Sequence, residues 1–261
     1  MKVVILCGGQ GTRLREETEY RPKPLVPVGG MPILWHIMKT YSHYGHKEFI
    51  LCLGYKGEMI KEYFLKFEEL SNDFTLNLRS KKERLIHHSP ANLEDWKITF
   101  YDTGQSSQTG SRIAQIKDFI GQDEEFFLTY GDGLASINIA ELQKFHKKHG
   151  KVGTITGVRP PSRFGEIITK GSKVVSFNEK PLVSQGFING GFFVFRRELF
   201  DYLSTDEGCV LEREPLENLV RDGEMTMFPH TGYWQCMDTY RDNMLLNEQW
   251  NSGKAEWKVW K

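Results

Sequence analysis

The stretch that decides the fold is Val3-Val4-Ile5-Leu6-Cys7-Gly8-Gly9-Gln10-Gly11-Thr12-Arg13-Leu14. Its first half is a short, fully apolar run, which suits a parallel strand covered on both faces. Its second half is a glycine-rich turn. Glycines let a backbone approach a ligand closely and adopt positive φ, and successive free N–H groups then form a cradle for phosphate oxygens. At the carboxyl edge of a parallel strand, this is where α/β folds bind ligands. A dinucleotide fingerprint would need a glycine where Leu14 stands, and a P-loop would need Gly-Lys-Ser/Thr, which is absent here. A plain tight turn is the remaining alternative. Arg13 argues against it, because an arginine in a phosphate cradle is a suitable clamp for a transferring phosphoryl group.

Working outward, residues 33–44 carry Ile33, Leu34, Ile37, Met38 and Tyr41 at helical spacing, residues 48–53 read as a second buried strand, and residues 57–67 as a second helix. Residues 126–130 form a third strand that ends at Gly131-Asp132-Gly133. Residues 139–149 are helical and 152–158 return as a strand. This alternation predicts a doubly wound α/β sheet. Residues 165–169, 173–178 and 191–195 look like strands with short links, expected as an antiparallel or mixed extension of the sheet. Residues 80–96 read as a polar surface insertion, and 214–222 and 240–253 as closing helices.

The chain has 261 residues, with 34 Lys+Arg balanced by 34 Asp+Glu. A dedicated nucleic-acid binder carries a basic excess, so phosphate chemistry here must rely on a few placed cations. Cys7, Cys52, Cys209 and Cys236 are scattered without metal-ligand spacing, the pattern of a reducing compartment. The first apolar run is too short for a secretory leader and no stretch reaches the length of a membrane span. A cytoplasmic protein with no membrane and no nucleic-acid partner is expected.

In Arg21-Pro22-Lys23-Pro24-Leu25-Val26-Pro27-Val28 the prolines stiffen an extended segment that presents Lys23. A lysine between prolines is most often a solvated loop residue, but its place after an arginine-bearing turn favours a functional one. Asp132, flanked by glycines at a strand end, reads either as an Asx turn or as a ligand for Mg²⁺, which commonly takes one or two carboxylates plus phosphate oxygens. Asp238 by itself reads equally well as a second ligand and as the N-cap of the last helix. Asn189, before Gly190-Gly191, can hydrogen-bond hydroxyls. Tyr130 and Trp234 are candidate pocket aromatics.

The glycine-rich motif together with Pro22-Lys23-Pro24-Leu25-Val26-Pro27 resembles the signature of the nucleotide-diphospho-sugar pyrophosphorylases, apart from Glu16 in place of the usual proline. Glu16-Glu17-Thr18, Pro32-Ile33-Leu34-Trp35-His36-Ile37-Met38, Gly54-Tyr55-Lys56-Gly57, Asp102-Thr103-Gly104, residues 127–133, residues 188–193 and Trp257-Lys258-Val259-Trp260 resemble the branch of that family acting on CTP and glucose 1-phosphate. Phe187 departs from a bulkier aromatic found in some relatives. The resemblance runs the length of the chain.

It implies a Rossmann-like fold of glycosyltransferase-A type in a single domain, with residues 1–150 serving the nucleotide and 151–261 the sugar and the closing helices. It implies CMP transfer from CTP to glucose 1-phosphate, giving CDP-glucose and pyrophosphate. Leu6, Gly8, Gly9, Gly11, Thr12, Arg13, Lys23, Arg112, Tyr130 and Gly131 would bind nucleotide, with Arg13 and Lys23 catalytic. Glu179, Lys180, Asn189 and Gly190 would hold the sugar phosphate, and Asp238 would join Asp132 on Mg²⁺. It further implies a homo-oligomer, trimer or hexamer, in which Arg112, on the polar stretch 103–112, reaches CTP in a neighbouring protomer. Three other readings stand beside it: a different NTP or sugar, a non-catalytic sensing subunit of the same fold, and a nicotinamide-dependent oxidoreductase, which the missing third glycine disfavours.

Overall fold

The computed structural model describes residues 1–79, 85–87, 94–159, 166–178 and 186–260. Its centre is a seven-stranded sheet built from β1 (Val3–Leu6), β2 (Glu48–Leu53), β3 (Lys97–Asp102), β4 (Glu125–Tyr130), β5 (Gly153–Val158), β6 (Ile188–Arg196) and β7 (Met225–His230). Their spatial order is β7-β5-β6-β4-β1-β2-β3. All run parallel except β6, which is antiparallel to both its neighbours. The continuous apolar run of β1 follows from its position: Val3 and Ile5 enter one core cluster and Val4 and Leu6 the other, so both faces are covered. The helices Ile33–His43 (α1), Ile139–His149 (α2) and Tyr240–Asn251 (α3) pack into the first cluster. The helices Thr109–Gln115 and Glu214–Arg221 pack into the second.

The second half extends the sheet past β4 as a mixed segment, with the antiparallel β6 followed by β5 and β7. The hairpin Glu166–Lys170 with Lys173–Asn178 pairs only with itself, as a separate two-stranded sheet. β6 instead lies inside the main sheet between β4 and β5, because its all-apolar core, Phe192 to Phe195, needs cover on both faces. β7 went unread in the sequence. Pro229 inside it is tolerated because β7 is the sheet's edge. The insertion expected over 80–96 falls largely outside the described residues, but Leu85–His87 pairs antiparallel with Phe74–Leu76. Among the described residues, no helix is long and apolar enough to cross a membrane.

Two stretches that carry the resemblance, 32–38 and 257–260, meet in one buried aromatic cluster. Trp35 and Trp260 lie edge to face at 5.8 Å, and His36 lies edge to face with Trp250 and Trp257. His36 Nε2 donates to Val28 O at 2.8 Å, and Trp257 Nε1 donates to His36 Nδ1 at 3.4 Å. A carbonyl can only accept and an indole N–H can only donate, so these partners assign the neutral Nε2–H tautomer. Asn247 and Asn243 of α3 donate to Pro27 O. The C-terminal helix and tryptophans thereby anchor the backbone just after Lys23.

Burial pulls His36 down from 6.5 to about 4, against the opposing hydrogen bond to Val28, and burial does the same to His146. Their folded pKa values lie below the unfolded ones, so their contribution to stability is intact above pH 6.5 and is lost as pH falls toward 4. Urea unfolding at pH 7 and pH 4.5 should show a loss of about 2 kcal/mol for each histidine. A flat profile over that window would contradict the buried neutral assignment.

Candidate active site

The chain leaves β1 and β4 side by side at the carboxyl edge of the sheet, where Gly131 N donates to Leu6 O at 3.1 Å. β6, being reversed, delivers its first residues Asn189 and Gly190 to the same edge. Around these ends opens a cleft of about 1560 Å³. Every expected contact within the described residues lines it: Leu6, Gly8, Gly9, Gly11, Thr12, Arg13, Lys23, Arg112, Tyr130, Gly131, Asp132, Asn189, Gly190 and Asp238. Glu179 and Lys180 lie outside the described residues.

The glycine turn is held from below. Gly11 has φ 62°, and Thr18 Oγ1 donates to Gly11 O and Leu14 O at 3.0 and 2.9 Å. Gly8 is required by crowding, since a Cβ there would sit 2.2 Å from a guanidinium nitrogen of Arg112. The crowding reflects how deeply Arg112 is set. Although the polar stretch 103–112 suggests mobility rather than core, Arg112 lies in the helix Thr109–Gln115 and is 4% exposed. Its guanidinium donates to Leu53 O at 2.8 Å, Gly104 O at 2.8 Å, Gly8 O at 3.2 Å, Gln105 O at 3.4 Å and the Thr103 hydroxyl. These partners turn the guanidinium inward, at the base of the cleft. A planar fork of five donors is well matched to this position, where carbonyls from separate loops converge under the turn.

Asp132 and Asp238 are far apart in sequence but adjacent in space. After β7 the chain pairs Trp234–Cys236 antiparallel with Gly133–Ala135, setting Cys236 opposite Gly133, and Met237 N donates to Asp132 O at 2.9 Å. The N-cap of α3 is Thr239, in a capping box with Asp242, which leaves the Asp238 carboxylate free to face the cleft. The helix cap expected at Asp238 therefore falls one residue later, on Thr239.

Lys23 is the meeting point. Pro22 is extended and Lys23 opens a 3-10 turn through Leu25. The residue is 9% exposed rather than solvated. Its Nζ donates to Asp132 Oδ2 at 2.6 Å and Asp238 Oδ1 at 2.8 Å, and Arg13 Nη1 donates to Asp238 Oδ2 at 2.8 Å. Burial would lower the Lys23 ammonium, but the Asp132 charge and the hydrogen bonds to both carboxylates leave it raised. Burial would likewise raise the Asp238 carboxyl, but Lys23 and Arg13 hold it below the ordinary carboxylate range. Arg13 itself is 73% exposed, a cation facing the open cleft.

Asp132, Cys236 and Asp238 each offer a ligand atom, and these lie within 4.8 Å of one another, close enough to hold a metal ion. Two converging carboxylates suit a hard divalent cation. The Cys236 thiol is pushed up, by burial first and by the Asp132 charge, so it stays a neutral neighbour. Cys236 went unnoticed as a site residue because its spacing fits no sequence motif, although its alternation with Trp234 on a strand before Asp238 was readable.

On the other wall, Tyr130 donates its hydroxyl to Glu212, whose second oxygen accepts from Thr109 Oγ1 at 2.6 Å. Asn189 Nδ2 donates to the Tyr130 hydroxyl at 3.2 Å while its Oδ1 accepts from Gly191 N at 2.8 Å. Trp234 Nε1 donates to Gly190 O at 2.7 Å. Nothing in the charged run Glu212-Arg213-Glu214 announces this role. The Asn189 amide is partly used within the chain, keeping one N–H and one lone pair for a ligand.

The glycine turn, the paired carboxylates and a roomy cleft thus share one edge of the sheet. Residues 2–244 match the family described as Nucleotidyl transferase, and the chain belongs to that family. Over 260 residues, covering both chains completely, it is 49% identical to the probable glucose-1-phosphate cytidylyltransferase of Bacillus subtilis. It is 47% identical, again over both full lengths, to the glucose-1-phosphate cytidylyltransferase of Salmonella typhimurium. Among solved structures it resembles HddC from Yersinia pseudotuberculosis, with a TM-score of 0.70 at 23% identity over 95% of this chain and 99% of that one. This last likeness concerns the fold alone.

The buried fork makes a stability prediction. Arg112→Met leaves the carbonyls of Gly8, Leu53 and Gly104 without their donor and should cost about 3 kcal/mol in urea unfolding. Arg112→Met at wild-type stability would remove the fork as a support of the turn.

Proposed function

We propose that this chain transfers CMP from CTP to glucose 1-phosphate, releasing pyrophosphate and forming CDP-glucose. The observation that carries the reaction class is the convergence of Lys23, Asp132, Asp238 and Arg13 beside a glycine cradle in one cleft. The choice of substrates rests on the full-length similarity to the two cytidylyltransferases.

A phosphate oxygen of glucose 1-phosphate attacks the α-phosphorus of CTP, and the bond to the β-phosphate oxygen breaks, its electron pair leaving on pyrophosphate. The nucleophile is already ionised, so no general base is needed. Catalysis is then positioning and charge neutralisation. In this reading the N–H groups of the Gly8–Gly11 turn cradle the triphosphate. Arg13 meets the charge that develops on the leaving pyrophosphate. Lys23 contacts the phosphates about the reacting centre. Asp132 and Asp238 hold Mg²⁺, whose chemistry when bound is to offset negative charge on phosphate oxygens. Asn189, Gly190 and Trp234 border the sugar, with Glu179 and Lys180 expected at its phosphate. A sensing subunit without turnover would have no use for four charged groups converging at the reacting centre.

Pyrophosphate release with glucose 1-phosphate should run at least about tenfold faster with CTP than with UTP, dTTP, ATP or GTP, the margin a few polar contacts to the base can supply. Equal turnover with another NTP would overturn the cytidylyl choice and leave the class standing. Among site variants, Arg13→Ala should lower kcat by roughly 10²–10³, the scale for one lost preorganised charge. Arg13→Lys should recover part of it, because a point charge cannot reproduce the fork. A rise in KM at unchanged kcat would instead make Arg13 a ground-state binder.

A further inference from the structure

The four charged groups at the centre of the site already satisfy one another. Lys23 Nζ lies 2.6 Å from Asp132 Oδ2 and 2.8 Å from Asp238 Oδ1, and Arg13 takes the second oxygen of Asp238 at 2.8 Å. Two carboxylates and two cations sum to zero formal charge. The ammonium therefore stands between the two carboxylates that a divalent ion would share. A metal ion and an ammonium cannot both lie within bonding distance of the same two oxygens without strong like-charge repulsion, least of all where Lys23 is 9% exposed and water screens little.

We propose that Lys23 is the resident cation of the metal site, holding Asp132 and Asp238 together until metal and nucleotide arrive as one complex. This rests on the reading of Asp132 and Asp238 as the metal-holding pair. A free divalent ion would have to evict the ammonium into a cleft where Asp242 is already engaged in the capping box of α3 and Glu212 with Tyr130 and Thr109. A nucleotide-bound ion brings phosphate oxygens, and these supply Lys23 and Arg13 with new partners as they leave the carboxylates. Metal and nucleotide consequently bind with positive coupling, and the coupling is reciprocal. The aromatic anchor behind residues 27–32 keeps the Lys23 backbone in place, so the exchange is confined to the flexible four-carbon side chain. Lys23 thus acts twice in succession, as counter-ion before nucleotide binds and as phosphate ligand afterwards.

The test is Mn²⁺ binding to the full chain without nucleotide, followed by the loss of the free-ion electron paramagnetic resonance signal. Lys23→Met should bind Mn²⁺ at least about tenfold more tightly than wild type, because a like charge has been removed from the site. Lys23→Met/Asp238→Asn should lose that gain. Equal affinity in wild type and Lys23→Met, with both weakened by Asp238→Asn, would overturn the proposal while leaving the metal pair intact. Binding indifferent to Asp238→Asn would overturn the metal reading itself, and the proposal with it. Should Lys23→Met fail to fold, with the two carboxylates left unpaired, wild-type enzyme labelled with ¹⁵N-lysine provides the same test. The Lys23 ammonium resonance should stay in place with Mg²⁺ alone and move when Mg²⁺ and an unreactive α,β-methylene CTP analogue are added together. Movement with Mg²⁺ alone would refute it.

Discussion

The structure turns on one buried ion pair, the Lys23 ammonium shared between Asp132 and Asp238. Stripping three charges of most of their water is costly unless each finds its partner at short range. That requirement constrains three remote parts of the chain at once. The proline-flanked segment must bring Lys23 inward, the end of β4 must present Asp132, and the strand before α3 must set Asp238 beside it. The capping box of Thr239 and Asp242 matters for the same reason, since it relieves Asp238 of any duty at the helix end. The aromatic cluster of His36 and the C-terminal tryptophans, remote from the chemistry, secures the turn that follows Lys23.

The two arginines near the glycine turn divide the work by direction. Arg112 points inward and gathers carbonyls from the loops beneath, fixing the height of the Gly8 backbone. Arg13 points outward, exposed to the cleft and tethered to Asp238. A turn built only of glycine would lack both support and charge. Here the support is buried and the charge is exposed to the cleft.

What was legible in the sequence was local. β1, β2, α1, α2 and the glycine turn follow from apolar runs, 3.6-residue spacing and glycine placement, all properties of short windows. Asp132 could be read because its glycine neighbours sit beside it. Asp238 could not be read from its surroundings, since its significance lies in a strand pairing with Gly133 that no local pattern encodes; the resemblance supplied it. The burial of Arg112 is hidden in the sequence for a related reason. A polar, Gly- and Ser-rich stretch looks solvated until carbonyls from Leu53, Gly104 and Gly8 close over the guanidinium. β6 was recognised as a strand, but its place inside the sheet depends on neighbours contributed by other parts of the chain. Glu212 carried no signal, because a carboxylate in a charged run becomes informative only when Tyr130 and Thr109 face it.

In the proposed exchange, one small volume between Asp132 and Asp238 would serve first an ammonium and then, with nucleotide, a divalent ion. Anomalous diffraction from crystals grown with Mn²⁺ and the unreactive CTP analogue tests this exchange most directly. The expected result is a single strong Mn²⁺ peak ligated by oxygens of both carboxylates, with Lys23 turned onto the phosphates. A peak elsewhere in the cleft, or Lys23 still bridging the two carboxylates beside bound nucleotide, would contradict it.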